Sequence, residues 1–361
     1  MKFIVACGGT GGHSFPGIAV AEELLKRGHE VHLWASGRDI ESQVMKTWKG
    51  QIFSTGARQL SIRHLFANAM SFFHCCKEMK RISPDAILAM GSYSSLPPVM
   101  AARRYKVRVY LHEANTIPGK AVEFLSHFAN AVAISFDVTA RYLPWVKTIR
   151  TGLPVRSSIT QGNRFPFIPQ DSFVIFVTGG SQGAHALNEL CSKAIVMMKS
   201  ILDQRGDGRK LYVIHQTGIK DEADVIGAYT RASLPSRVYA FENEMANAFA
   251  SADIVIARAG ASTCFELAAC GKPALLIPLP SAMKNHQHFN ADAFAAKGAA
   301  DEGIQAKLSA RQICRYLLER YNNPERLLAM SSKIKALSTL DAAESVADLV
   351  EGKILTTENK K

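Results

Sequence analysis

Glycines cluster twice in this chain, each time directly after a short apolar run. Lys2 to Cys7 (KFIVAC) leads into Gly8, Gly9, Thr10, Gly11, Gly12 and His13, and Phe173 to Val177 (FVIFV) leads through Thr178 into Gly179, Gly180, Ser181, Gln182 and Gly183. A strand that turns through glycines into a helix leaves backbone N–H groups at the positive end of the helix dipole, where a phosphate is well received. The same turn also occurs with no ligand at all. Neither copy is a P-loop, because no Gly-Lys-Ser/Thr closes it, and neither matches GxGxxG. His13 ends the first glycine run, at the C-terminal end of the first strand. An imidazole titrates near ~6.5 and suits proton transfer at neutral pH. The alternative is a positional role, hydrogen-bonding a phosphate or capping the helix. Glu266, near the start of a helix after Ala261 and Ser262, has the chemistry to accept two hydrogen bonds from a vicinal diol. It also fits as a glutamate favoured by the helix dipole. His286 and His288 lack a third partner at metal-ligand spacing, so a polar, sugar-binding loop is the better reading of Lys284 to Ala291.

These residues need elements to hold them, and the chain alternates strand and helix throughout. In the first half the strands are Lys2–Cys7, Glu30–Ala35, Asp85–Met90, Val107–His112 and Ala131–Ser135, with a helix from Ala19 to Arg27. In the second half they are Phe173–Val177, Lys210–His215, Arg237–Phe241, Ala252–Ala257 and Pro273–Pro278, with helices at Cys264–Cys270, Leu308–Tyr321 and Ala342–Leu349. This order predicts two doubly wound parallel sheets, with functional residues at the strands' C-terminal ends. The turn-rich stretch Ser157 to Asp171 reads as the linker.

The 361 residues suit two domains, and 47% hydrophobic content lets both bury a core. No apolar run approaches ~18 residues, so no segment is expected to span a membrane. Seven scattered cysteines without a CxxC pair read as a reduced, cytosolic protein without structural zinc. The net charge of +12 implies an anionic partner. No basic stripe with stacking aromatics or known module accompanies it, which argues against nucleic acid. Ile62, Phe66, Met70, Phe72 and Phe73 lie among Arg58, Arg63, Lys77, Lys80 and Arg81. That is either an amphipathic helix packed on the sheet or an apolar patch ringed by positive charge, suited to an anionic membrane.

GGTGGHSFPG, GSYSSLP, HEAN with IPGK, TGLPVR, GGSQGA, ARAGAST with FE, and NHQHFNA occur here in one order. Together they resemble the MurG family, bacterial enzymes that move N-acetylglucosamine (GlcNAc) from UDP-GlcNAc to undecaprenyl-pyrophosphoryl-N-acetylmuramyl-pentapeptide. The resemblance covers nearly the whole chain. It implies a GT-B fold, two Rossmann-like domains at about 1–157 and 158–337 with the active site in the cleft, and a last helix, about 338–354, packed back on the first domain. It implies inverting transfer to the C4 hydroxyl of the MurNAc unit of lipid I, giving lipid II and UDP at the cytoplasmic face of the inner membrane.

For the donor the resemblance implies Arg156, Gly180, Ser181, Gln182 and Gly183 at the diphosphate, backbone at Glu242 on the uracil, and Glu266 on the ribose. It implies Ala261, Ser262, Thr263, Cys264, Phe265 and Gln287 around phosphates or sugar. Thr10, Gly11, Gly12 and Asn115 are implied for the sugar and the acceptor, Gly8, Gly9 and Tyr93 for the acceptor, and His13 as base. No cofactor is required, and a divalent cation is compatible, though the sequence names no ligands for it. The family's HEQN is HEAN here, with Ala114, its GNPVR is GLPVR, with Leu153, and Lys120-Ala121-Val122 stand where an asparagine is usual. An NAD(P)-dependent oxidoreductase is disfavoured because Ser36, Gly37 and Arg38 replace the ribose-binding acid after the second strand. The membrane patch and the HEAN loop argue against an epimerase, and turnover with a lipid I analogue separates an enzyme from a sugar-nucleotide sensor.

Overall fold

The computed structural model describes residues 1–8, 11–37, 48–59, 61–180, 182–208 and 210–354. These form two units, Met1–Arg156 with Thr339 onward, and Ser157–Ser338.

Seven parallel strands build the first unit: β1 (Lys2–Ala6), β2 (Glu30–Ala35), β3 (Ile52–Ser54), β4 (Ala86–Ala89), β5 (Arg108–Glu113), β6 (Ala131–Ile134) and β7 (Thr148–Arg150). Their order is β3-β2-β1-β4-β5-β6-β7. Continuous apolar runs such as FIVA and AILA are buried on both faces, as a parallel sheet between helices requires. The helices are α1 (Gly11–Lys26), α2 (Leu65–Ile82), α3 (Leu96–Arg104) and α4 (Lys120–Ser126). One face of the sheet takes Cys75, Met79, Val99 and Leu125 from α2, α3 and α4, and the other takes Val20 and Leu24 from α1. Helix α1 begins eight residues before the expected Ala19, with Pro16 inside it. Glycine and proline are poor helix formers, which hid its first turns from propensity reasoning. Gly17 lets it approach β1: a Cβ there would lie 2.5 Å from that of Cys7.

The second unit has six parallel strands: β8 (Phe173–Thr178), β9 (Leu211–Gln216), β10 (Ser236–Tyr239), β11 (Ile254–Ala257), β12 (Ala274–Leu276) and β13 (Asp301–Glu302). They are ordered β10-β9-β8-β11-β12-β13. Its helices are α5 (His185–Arg205), α6 (Glu222–Arg231), α7 (Met245–Ser251), α8 (Ala261–Cys270), α9 (His286–Ala295), α10 (Ala310–Tyr321) and α11 (Pro324–Lys335). The stretch 157–171 is no free linker. Ile159, Phe165 and Ile168 are buried, and the Phe165 N–H donates to Ser251 Oγ at 2.9 Å.

The last helix, α12 (Ala342–Glu351), belongs to the first unit and packs on α1 through Val346, Leu349 and Val350. Arg27 of α1 clamps it, donating to Asp348 at 2.6 Å and Glu351 at 2.8 Å. His29 completes the clamp on Glu351 at 2.6 Å. Burial alone pushes the Glu351 carboxyl up, but hydrogen bonds from Lys353, His29 and Arg27 outweigh it and hold it at about 2. A carboxyl depressed in the folded state contributes stability above its unfolded pKa and loses it as pH falls through the folded one. Glu351→Gln is therefore expected to cost the first unit about 1–3 kcal/mol at pH 7 and to flatten its acid destabilisation between pH ~4.5 and ~2. Trp34, Trp48 and Trp145 all lie in this unit, so urea titrations followed by tryptophan fluorescence measure both effects.

Candidate active site

In the first unit the loops beyond β1, β4 and β5 converge. His13 sits in the first turn of α1, and its Nδ1 is 2.8 Å from the carbonyl oxygen of Met90, one residue past β4. A carbonyl only accepts, so Nδ1 carries the proton and Nε2 the lone pair. The ring lies beside Gly91, whose φ is +85°, and a Cβ at that position would come 3.6 Å from His13 Cε1 and 3.1 Å from Val122 Cγ2. Fully buried His112 donates from Nε2 to the Gly152 carbonyl at 3.0 Å, and its Nδ1 has no hydrogen-bond partner among the described residues. Burial pushes His112 down to about 4, and the nearby His13 charge adds to that, so it is neutral at pH 7.

Glu113 is also buried. Its Oε1 accepts from the Asn115 N–H at 2.9 Å and from Asn115 Nδ2 at 3.1 Å, and its Oε2 accepts from the Gly119 N–H at 2.9 Å. Burial raises its pKa, against the pull of those bonds. With three donors on it, Glu113 is the post that shapes the HEAN loop and orients Asn115. Asp137 opens an exposed 3-10 turn past β6. Arg156 stacks over the ring of Phe15, 4.2 Å from its centroid, on the same helix as Gly12 and His13. Gly8 is buried after β1, Gly11 opens α1, and Tyr93 begins the 3-10 turn Tyr93–Ser95 after β4. Gly9 and Thr10 lie outside the described residues, as does Ser181 of the second glycine run. Of the two departures beside the site, Ala114 and Leu153 are both buried, Leu153 completely.

In the second unit the Gly180 N–H donates to Thr178 Oγ1 at 3.2 Å. Thr178 in turn donates to Gln216 Oε1 at 3.1 Å. The sequence signal for this brace is a polar residue closing each of two buried strands, FVIFVT and LYVIHQ. Gly183 has φ +72°, and a Cβ on it would lie 1.9 Å from the Thr217 carbonyl oxygen, so no other residue fits. Gln182, between them, is exposed.

Helix α8 starts at Ala261 behind an extended Gly260, three residues earlier than expected. Ser262 and Thr263 are half-buried in its first turn and Glu266 is buried in its second. The Cys264 and Phe265 side chains turn into the core, with Phe265 edge-on to Phe294 at 5.8 Å, which leaves their backbone to meet a ligand. A helix places residues i and i+1 about 100° apart, so one turn cannot present all of positions 261–266 to a ligand.

Sequence reasoning assigned nothing to Arg258, yet it is buried at the end of β11. It donates to the Ile277 and Pro278 carbonyls at 3.1 and 3.3 Å and to Gln305 Oε1 at 2.7 Å. It thereby braces the loop that leads to Lys284 and Asn285, both left-handed at φ 50° and 55°. Gln287, just beyond, accepts from the Leu279 N–H at 2.9 Å. His286 bonds the Met283 carbonyl and His288 bonds Glu302. No cluster of three or more metal-ligating side chains occurs among the described residues. The Glu242 side chain is buried and caps its own turn by accepting from the Glu244 N–H at 2.7 Å. The Glu242 backbone N–H and carbonyl make no hydrogen bond among the described residues.

Two doubly wound parallel sheets with polar groups at the strands' C-terminal ends are the architecture of the GT-B fold. Comparison with known proteins narrows the class. The glycosyltransferase family 28 N-terminal domain matches residues 3–134 and the family 28 C-terminal domain residues 174–346. The chain is 36% identical to the UDP-N-acetylglucosamine–N-acetylmuramyl-(pentapeptide) pyrophosphoryl-undecaprenol N-acetylglucosamine transferase of Trichlorobacter lovleyi, over 98% of each chain. It is 34% identical to the transferase of the same name from Geobacter metallireducens, over 96% of this chain and 97% of that one. The crystal structure of Acinetobacter baumannii MurG superposes with a TM-score of 0.77 at 29% identity, covering 97% of this chain and 99% of that one. The UDP-GlcNAc 2-epimerase structure from Neisseria meningitidis reaches a TM-score of 0.71 at 14% identity, over 96% of this chain and 99% of that one, and shows the fold alone. The chain belongs to glycosyltransferase family 28, within the group of MurG transferases.

Proposed function

We propose that this protein transfers GlcNAc from UDP-GlcNAc to the C4 hydroxyl of the MurNAc unit of lipid I, inverting the anomeric centre and forming lipid II and UDP. The observation that carries the mechanism is the Nδ1 bond of His13 to the Met90 carbonyl, which leaves Nε2 as the basic nitrogen. The acceptor O4–H gives its proton to that Nε2 as O4 bonds to the anomeric carbon. The bond from that carbon to the diphosphate oxygen breaks, and UDP departs with the electron pair. The amino end of α5, behind the glycine turn, stabilises the charge gathering on UDP, with Arg156 contributing to it. Glu266 takes the ribose diol, and the unpartnered Glu242 backbone reads the uracil edge. Ser262, Thr263, Gln287 and Asn115 serve the sugar. No step calls for a cofactor, and a divalent ion is compatible with the charge on the diphosphate.

The direct test is UDP release from UDP-GlcNAc with and without a lipid I analogue. Acceptor-dependent release with formation of the disaccharide supports the reading, and acceptor-independent turnover or none at all rejects it.

The lipid-linked acceptor also needs a membrane surface. Leu65, Phe66, Met70 and Phe73 are 71, 79, 41 and 63% exposed along α2, beside exposed Arg58, Arg63, Lys77 and Lys80. Phe72 is the exception to the expected patch. It packs edge-on to Phe73 and against the core, which leaves Leu65, Phe66, Met70 and Phe73 to face lipid. Ile62 opens the turn before α2. No helix among the described residues is long and apolar enough to cross a membrane. Replacing Phe66, Met70 and Phe73 together by serine is expected to weaken binding to phosphatidylglycerol vesicles and turnover of long-chain acceptor, with short-chain acceptor little affected. Equal loss on both acceptors would rule out a membrane role for the patch.

A further inference from the structure

The second glycine turn is fastened from outside by a carboxylate. Asp221 sits at the start of α6, after β9, and is 8% exposed. Its Oδ2 accepts from Asn188 Nδ2 at 2.7 Å, and the same amide group donates to the Thr217 carbonyl at 2.7 Å. Its Oδ1 bonds Nδ1 of His185, the first residue of α5, at 2.8 Å. The Thr217 carbonyl is the atom against which Gly183 is pressed. One carboxylate therefore joins the amino end of α5 to the strand-end loop that fixes the turn. Behind it Asn188 Oδ1 meets buried His215 Nε2 at 3.2 Å, and His215 Nδ1 meets Tyr229 Oη at 2.8 Å, so the inner side of the clasp is tied into the core. The outer side opens on a groove of about 560 Å³ between α5 and α6, which exposes His185 to solvent.

We propose that Asp221 and His185 are positioning residues that hold Gly183 and the amino end of α5 in an anion-receiving arrangement, and that protonation of His185 tightens this hold. The proposal rests on the reading of that turn as the donor diphosphate site. The hydrogen bond to Asp221, and then its charge, hold the His185 pKa above the ordinary imidazole value, and Glu189 and Asp224 act in the same direction. Lys193 also lines the groove, paired with Glu189 at 2.6 Å. Below that pKa the clasp is an ion pair, and above it the neutral imidazole still donates to the Asp221 carboxylate.

Two measurements test this on the full chain. UDP affinity by calorimetry is expected to fall about 10-fold or more in Asp221→Ala and by less in Asp221→Asn, which keeps one acceptor. The weakening of UDP binding from pH 6 to 8.5 is expected to be steeper in the wild type than in His185→Gln, which keeps a donor and loses the charge. Hydrogen exchange of the amides at 180–184 is expected to speed up at least 10-fold in Asp221→Ala, whether or not UDP is the ligand. A wild type that binds no UDP overturns the donor reading, and with it the link to UDP. Unchanged exchange at 180–184 in Asp221→Ala, or unchanged UDP affinity in a variant whose wild type binds, overturns the clasp itself. Identical pH dependence in His185→Gln and the wild type overturns the protonation step.

Discussion

Replacing His13 by alanine is expected to lower kcat by about 10²-fold or more while leaving UDP affinity intact. The expectation follows from what each ring nitrogen is doing. Nδ1 is spent on the Met90 carbonyl, which fixes the tautomer and holds the ring beside Gly91. Nε2 is then the nitrogen able to take a proton, and only when the ring is neutral. The acidic limb of the pH–rate profile should therefore vanish in His13→Ala, as it reports protonation of that nitrogen. Its buried neighbour His112 is already neutral at pH 7 and contributes no limb near neutrality. An unchanged acidic limb, with only KM for acceptor raised, would show that His13 positions the acceptor and that the base lies elsewhere. Glu113 is a poor substitute, since both its oxygens already accept from the HEAN loop.

The second large effect is expected at Glu266. Glu266→Ala should weaken UDP and UDP-GlcNAc together by about 1.5–3 kcal/mol, the worth of hydrogen bonds to a charged group, or roughly 10- to 150-fold in affinity. Loss on both ligands is the signature, because the ribose is common to them. Calorimetric titration with UDP, UDP-GlcNAc and uridine reads it directly. Undiminished UDP affinity would remove Glu266 from the nucleotide site. Loss of fold is the competing explanation, because the side chain is buried in α8, and Glu266→Gln controls for it by retaining shape and one acceptor.

The central strands and the paired glycine turns were legible in the sequence because burial on both faces writes itself as unbroken apolar runs. The edge strands β3, β7 and β13 were not. They are two or three residues long and half-exposed, so IFS, TIR and DE carry no period. Helix starts were displaced towards the C-terminus for α1 and α8 because their first turns are built of glycine, serine and threonine, which propensity assigns to loops. At the site, residue types pointed to His13 as a base and to Glu266 as an acceptor for a diol. What orients them stayed hidden. The anchor of His13 is a backbone carbonyl 77 residues away in sequence, and any residue at Met90 would supply it. Arg258 carried no signal because two of its three partners are also backbone carbonyls and the third, Gln305, lies 47 residues away. Phe72 and Phe73 look alike in sequence, and only the phase of α2 against the sheet decides which one faces solvent.

Helix α12 has a consequence for how the protein is made. The first unit is interrupted by the whole of the second, and its last piece is Thr339 onward. On the ribosome, residues 1–156 emerge before the second unit but lack the helix that packs on α1. About 180 further residues must be translated before that helix appears, which takes roughly 10–40 s at common elongation rates. The second unit, contiguous in the chain, is complete earlier. The unit whose strands emerge earlier is thus the one that finishes folding later, and a nascent chain stalled near residue 338 carries a first unit whose α1 lacks its partner helix.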